Sequence, residues 1–376
     1  MLFLNIMLSV FVSFADTVNV SKQHLLQEVT VVASRTMNKG NKIIVQMRED
    51  ENKTMDEVLA SVPHVAVTES GISIDGRGKV KVLLNGHEIR MEGSALISYL
   101  QSLRSSDISK VEVQTVADAS QDANVQGGVI NIVLRKQKDN GVNGSIENRL
   151  NVANTFFRNM VAVSVFSRWN KVNLYASFSN PITAKNNGEG RIKRVFNLPS
   201  YDYNSVSSNR IPARDYYWRV GGFADLSTRW NIGTEYAFTL NRLKRTTNDR
   251  TSMQTPEISM HDVLSTYTQK LRNHLHSLQA DVSYKVDNEG SKVKLSSSYD
   301  VRRLRGDNVN LFENKCDSSN TASIYKVLAI DLSVFKQFTK NSNLLFGVKH
   351  NAISADNNTL YGGVSSDQND NSNAAF

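Results

Sequence analysis

The 376-residue chain has one cysteine, Cys316, which excludes a disulfide framework and a multi-cysteine zinc site. Beyond the first residues no apolar run reaches the roughly 18 positions that a spanning helix needs. Prolines number five. Lys and Arg exceed Asp and Glu by 44 to 36, which permits an anionic partner. The charges are scattered, however, and no RNA-binding signature, zinc spacing or basic helix is present, so nucleic acid is not an expected partner. Gly76-Arg77-Gly78 lacks the third glycine and the helix of a dinucleotide loop. No serine lies in an elbow motif and no paired carboxylates stand out, so no enzyme and no cofactor are expected. Of the histidines, His64 and His87 lack a second ligand at metal spacing. His274 and His276 share a strand face and offer the one arrangement a hydrolase or a metal could use. The plainer reading, histidines at the loop end of a strand, is preferred. Cys316 reads as an exposed thiol.

What is present begins with "MLFLNIMLSVFVSFA". A short apolar stretch ending in small residues, Ser13 and Ala15, reads as a secretory signal peptide over 1–15, although no Lys or Arg precedes it. Residues 25 to 33, "LLQEVTVVA", are β-branched and apolar with no partner strand nearby, which suits an edge strand or pairing with another protein by strand addition. In "NKTMDEVLASVPHV", Thr54 and Glu57 form a capping box. Met55, Val58, Leu59 and Val62 share one face, and Pro63 stops the helix. "GISIDGRGKVKVLLNGHEI" reads as strand, turn, strand, turn, with Asn85-Gly86 a type I′ signal. A second helix carries Leu96, Leu100 and Leu103, and "ISKVEVQTV" and "GGVINIVLRK" add two strands. The result is a compact mixed α/β unit.

From Gly141 helical periodicity gives way to period-two alternation. In "KVKLSSSYDVRR", Val293, Leu295, Tyr299 and Val301 oppose Lys292, Lys294, Ser298, Asp300 and Arg302. Nine strands are expected, near 142–152, 156–168, 172–180, 215–227, 230–241, 274–286, 292–304, 326–338 and 343–353. Their length matches the roughly 9–11 residues of a tilted membrane strand. Short turns alternate with long polar loops at 181–214, 242–273 and 305–325, except near 153–155. That asymmetry fits an outer-membrane barrel. Tyr216, Trp218, Trp230 and Tyr325 are candidates for interfacial aromatics, and the chain ends in a polar tail, "SSDQNDNSNAAF".

Four stretches, "LQEVTVVASR", "VLLNGHEI", "LRSSDISKVEV" and "GGVINIVLRK", resemble the TonB-dependent receptors of the outer membrane, in the branch common in Bacteroidetes-type bacteria. The likeness implies a mixed fold: a periplasmic segment over 16–40, a plug over 41–138, and an antiparallel transmembrane β-barrel from 139 to 376, incomplete at about nine strands. It implies a TonB-box-like strand of Leu26, Gln27, Glu28, Val29, Thr30, Val31, Val32 and Ala33, gripped by a periplasmic energy-coupling protein. Gly127 and Gly128 would let the last plug strand approach closely, and Arg135 and Lys136 would mark the exit to the wall. The implied partners are outer-membrane lipid, TonB and a small scarce ligand, whether chelate, glycan or peptide. The chain departs from the family in the missing accessory domain before the box, the signal without a cationic start, and a barrel less than half present, as in a truncated product. A non-transporting adhesin or structural barrel is the alternative; it would keep the long loops and need no box.

Overall fold

The computed structural model describes residues 36–376 apart from 40–41, 49–52, 69–70, 78–79, 90–92, 116–126, 136–139, 198–199, 255–260, 314, 340–341, 362–363 and 376. The expected signal peptide, the strand Leu26 to Ala33 and Lys136 lie outside these described residues.

The first part runs β1 (Thr36–Lys39), β2 (Lys42–Gln46), α1 (Met55–Ala60), β3 (Val65–Thr68), β4 (Gly71–Ile74), β5 (Lys81–Leu84), β6 (His87–Glu88), α2 (Gly93–Ser102), β7 (Ile108–Gln114) and β8 (Val129–Leu134). Six strands make one sheet in the order β1, β2, β7, β8, β5, β6, while β3 and β4 form a separate hairpin. β5 and β8 run parallel, and the other pairs are antiparallel. The capping signal is used: Glu57 Oε2 accepts the Thr54 N–H at 3.0 Å. At the Asn85-Gly86 turn both φ angles are positive, 52° and 87°, as a type I′ hairpin demands. The side chain of Asn85 also accepts the Leu134 N–H at 3.0 Å. Met55, Val58, Leu59, Leu100, Ile108, Val111, Val113, Ile130 and Ile132 are fully buried between helices and sheet. Burying each such side chain contributes roughly 1.5–3 kcal/mol, so this unit has a core of ordinary, water-soluble type.

The second part is one antiparallel sheet of eleven strands among the described residues. In chain order they are β9 (Gly141–Ala153), β10 (Phe156–Trp169), β11 (Val172–Asn197), β12 (Ser200–Arg210), β13 (Ala213–Asp225), β14 (Trp230–Gln254), β15 (His261–Lys285), β16 (Lys292–Phe312), β17 (Lys315–Thr339), β18 (Ser342–Tyr361) and β19 (Val364–Ala375). β12 and β13 are one strand broken at Ile211-Pro212: both pair with β11 on one side and β14 on the other. Proline donates no ladder hydrogen bond, and the Pro212 carbonyl instead accepts the Lys244 N–H at 3.1 Å.

All nine expected strands occur, but two expectations are corrected. The polar tail is not outside the sheet: β19 pairs with β18 from Tyr361↔Val364 to His350↔Ala375, so the wall is ten strands wide. The three long loops are not loops either. Nearly all of their described residues continue the strands, and β14 and β15 stay in register from Trp230↔Tyr284 to Met253↔His261. Where both faces of a strand meet water, neither face needs to be apolar, and the period-two signal vanishes while backbone pairing continues.

Candidate plug–wall interface

The large sheet has two unlike faces. Cross-strand registers place Val172, Ala224, Ile232, Val282, Leu295, Leu332 and Val348 in one row. Another row holds Val165, Ala176, Val220, Tyr236, Leu278, Tyr299, Leu328 and Ala352. Most of these side chains are large and apolar, and the face is open: Val348 is 60% exposed, Val220 54% and Leu278 52%. The belt runs along β14 from Trp230 to Leu240. Ten residue steps at about 3.3 Å give about 33 Å, and a strand tilt near 40° projects this to about 25 Å, the height of a transmembrane apolar band. Trp230 packs on Tyr284 (centroids 4.7 Å apart) at the short-turn edge, and Trp169 lies exposed beside the turn joining β10 and β11. Tyr325 does not join them. It lies on the other face, where its hydroxyl donates to Asn357 Oδ1 at 3.0 Å.

The opposite face carries the polar residues, and the α/β unit lies against it. Arg219 and Glu235 are 5% and 7% exposed. The Tyr175 hydroxyl donates to Glu235 Oε2, and the Arg219 guanidinium lies 5.4 Å from the Tyr175 ring centroid. Gly221 makes room for that phenol: a Cβ there would sit 2.5 Å from its oxygen. Tyr99, from α2, meets the edge of Tyr217 at 5.5 Å. Burial pushes its phenol up to about 12, against the pull of the Arg219 charge. Asp107 is also pushed up by burial, although Arg219 and Arg104 oppose this.

Around this centre runs a ring of polar bridges. Arg104 Nε pairs with Glu147 Oε2 at 2.9 Å, and Arg149 reaches both Glu147 (3.1 Å) and Glu57 (3.3 Å). Arg158 donates to Gln101, which donates to Asp56 Oδ2 at 2.9 Å. His87 Nε2 lies 2.6 Å from Asp281 Oδ2, whose other oxygen takes Ser296 at 2.8 Å and Lys294 at 3.0 Å. Along the wall, Arg302 donates to Asn273 (3.0 Å), Asn273 to Asn241 (3.2 Å), and Asn241 to Asp215 (3.1 Å) and Tyr217 (3.2 Å). A net intramolecular hydrogen bond is worth only about 0.5–1.5 kcal/mol, because water offers an equivalent partner. Each contact of this kind thus adds little when water can reach it.

Of the sequence-derived junction residues, Gly127, Gly128 and Arg135 fall within the α/β unit. Gly128 has φ 91°, and a Cβ there would lie 2.5 Å from the Gln114 carbonyl oxygen. Its own carbonyl accepts the Lys81 N–H at 3.0 Å. Gly127 is buried beside it. Arg135 grips backbone carbonyls: Ser106 at 3.0 Å, Met47 at 3.1 Å and Ile108 at 2.9 Å. His64 is exposed and lies 2.6 Å from Asp75. His276 Nδ1 lies 2.8 Å from the Tyr236 hydroxyl on the belt, and His274 sits edge-on to Phe238 with centroids 6.5 Å apart. Among the described residues no three His, Cys, Asp or Glu side chains converge to hold a metal ion. Cys316 is exposed. The sequence reading missed Tyr99, Tyr175, Arg219, Glu235 and Asp281. The available signal was a charge such as Glu235 in the middle of a membrane-length strand.

No family model matches the chain, and no curated protein matches it. Among solved structures it is similar to the ferric yersiniabactin uptake receptor of Yersinia pestis, with 14% identity, TM-score 0.47, 92% of this chain and 61% of that one covered. It is also similar to the ferric-catecholate import receptor of Escherichia coli K12 (9%, 0.42, 92% and 67%). A third is the ferripyoverdine receptor of Pseudomonas aeruginosa (12%, 0.42, 89% and 53%). The chain thus spans about three fifths of the length of the first of these.

Proposed function

We propose that this chain is the plug and adjoining wall of a TonB-dependent outer-membrane receptor of the Bacteroidetes-type branch, which takes up a small scarce ligand. The observation that carries this reading is the reversed polarity of the large sheet. Its open face is a belt about 25 Å tall of Val, Leu, Ile and aromatics, and its covered face holds Arg219, Glu235, Asn241, Asn273 and Asp300. In water that arrangement would be inside out; in lipid it is the stable one. Residues 41–138 form the plug, with Gly127, Gly128 and Arg135 closing its last strand. Leu26 to Ala33 pair with the periplasmic energy-coupling protein. Pulling there loosens polar bridges such as His87 to Asp281 and Arg149 to Glu57, and opens a hydrated path along the inner face. β9 and β19 each have one neighbour in the sheet among the described residues. Lipid does not tolerate open strand edges, so further strands meet them in the working receptor.

All three tryptophans, Trp169, Trp218 and Trp230, lie exposed on the belt or at its short-turn end. The full chain, reconstituted in vesicles whose acyl chains carry bromine at mid-depth, should lose most of the Trp218 fluorescence in a W169F/W230F background. Unquenched Trp218, or a monomer that stays soluble without detergent, would overturn the membrane reading. Deleting Leu26 to Ala33 should abolish cross-linking to the energy-coupling protein and leave the quenching intact; unchanged cross-linking would remove the box assignment.

A further inference from the structure

Immediately beyond the belt, on the side where the strands run on past it, the outer face becomes cationic, in a single step on β13 and β14. Going up β14, Leu240 is followed on the same face by Arg242. On β13 Tyr216 is followed by Arg214, on β15 His274 by Arg272, and on β16 Arg303 by Arg305. The registers make these neighbours: Arg214↔Arg242, Arg242↔Arg272 and Arg272↔Arg305 stand directly opposite one another. All four are exposed. At a strand spacing of about 4.8 Å they form a strip about 14 Å long. Arg303 lies one row inside it, and Lys244 and Lys270 one row beyond, with Asp307 opposite Lys270 the acid nearest in register.

Like charges directly opposite on one face of a sheet repel, and here three such pairs follow in sequence. None of the four arginines forms an ion pair with any described residue. By contrast Arg104, Arg149 and Arg250 each have a carboxylate. A row of guanidinium groups is therefore held together without a counter-charge from the protein. Guanidinium binds phosphate bidentately and lies readily over apolar surface on its stem. The row stands at the level where lipid headgroups meet the belt.

We infer that Arg214, Arg242, Arg272 and Arg305 form a binding strip for the headgroup phosphates of an outer-leaflet lipid, with Arg303, Lys244 and Lys270 in support. The anion converts three repulsive contacts into shared attractive ones, and so fixes a lipid to the wall beneath the extended hairpins. This inference rests on the membrane reading above.

The test uses the full chain, stripped of lipid in zwitterionic detergent. Its affinity is measured for a diphosphorylated glycolipid, for the same glycolipid with its phosphates removed, and for inorganic phosphate at equal phosphate concentration. The wild type should prefer the diphosphorylated lipid by about tenfold or more, as several basic groups at a lipid surface allow. The R214Q/R242Q/R272Q/R305Q variant should lose that preference, while quenching of its Trp218 by brominated acyl chains shows that it is still folded and inserted. Equal preference in variant and wild type overturns the strip. Inorganic phosphate acting as well as the lipid overturns the lipid as its source. If wild-type Trp218 is not quenched, the membrane reading fails first; if it is quenched and no phosphate preference exists, this inference alone fails.

Discussion

The α/β unit and the wall solve opposite problems. In the first, Leu100, Ile108, Val111 and Ile130 are sealed from solvent and polar groups lie outside. In the second, Val220, Leu278, Leu295 and Leu332 lie open while Arg219, Glu235 and Asp300 are buried. The same alternating pattern of residues serves both, because alternation specifies only that the two faces of a strand differ. Which face is inside is set by the solvent. The contact between the two regions mixes polar bridges with a patch of Tyr175, Tyr217 and Leu275 that joins the core of the α/β unit, which makes it unlike either interior.

The contrast is broken most strongly at Glu235. Replacing it with leucine leaves the buried Tyr175 hydroxyl without its acceptor and removes a negative charge near the buried Arg219, and should cost about 3 kcal/mol by urea midpoint in detergent. An unchanged midpoint would show that Arg219 is compensated elsewhere. Next is the belt. Leu278→Arg places a charge on the face proposed to meet lipid and should cost about 3 kcal/mol in vesicles, with a far smaller loss in detergent; equal losses in both would argue against a lipid-facing belt. The smallest effect lies in the α/β unit. Burial pushes the Glu112 carboxyl up, but donation from Lys110 and Asn131 outweighs this and holds it below the usual range. Its charged form is therefore favoured in the folded state. The advantage of wild type over Glu112→Gln, under about 1 kcal/mol at neutral pH, is full above the unfolded-state value near about 4.3 and disappears as pH falls through the lower folded one. A gap that widens on acidification would refute the sign.

Local chemistry was legible in the sequence. Thr54 with Glu57, Pro63, and Asn85-Gly86 fixed both ends of α1 and the β5–β6 turn because each acts within a few residues. The nine belt strands were legible because their two faces differ in polarity, which enforces a period of two. β19 and the upper parts of β11, β14, β15, β16 and β17 were not, since strand pairs in water need no such period. The Tyr175, Arg219 and Glu235 cluster was hidden for a different reason. Its members come from three strands and meet Tyr99 from a helix, and no local pattern marks a partner that distant. Arg135 was noticed for its position, but its grip on three carbonyls depends on where β8 ends in space.

The order of the six-stranded sheet has a mechanical consequence. β1 sits at its margin, β2 next and β7 third, so a tug entering at Thr36 loads the outermost ribbon first. Those hydrogen bonds break one after another, like a zip, rather than all at once in shear. The first real resistance comes where Arg135 clasps the carbonyl of Met47 just past β2. Traction on the chain would thus travel a short, soft distance before it met a firm stop.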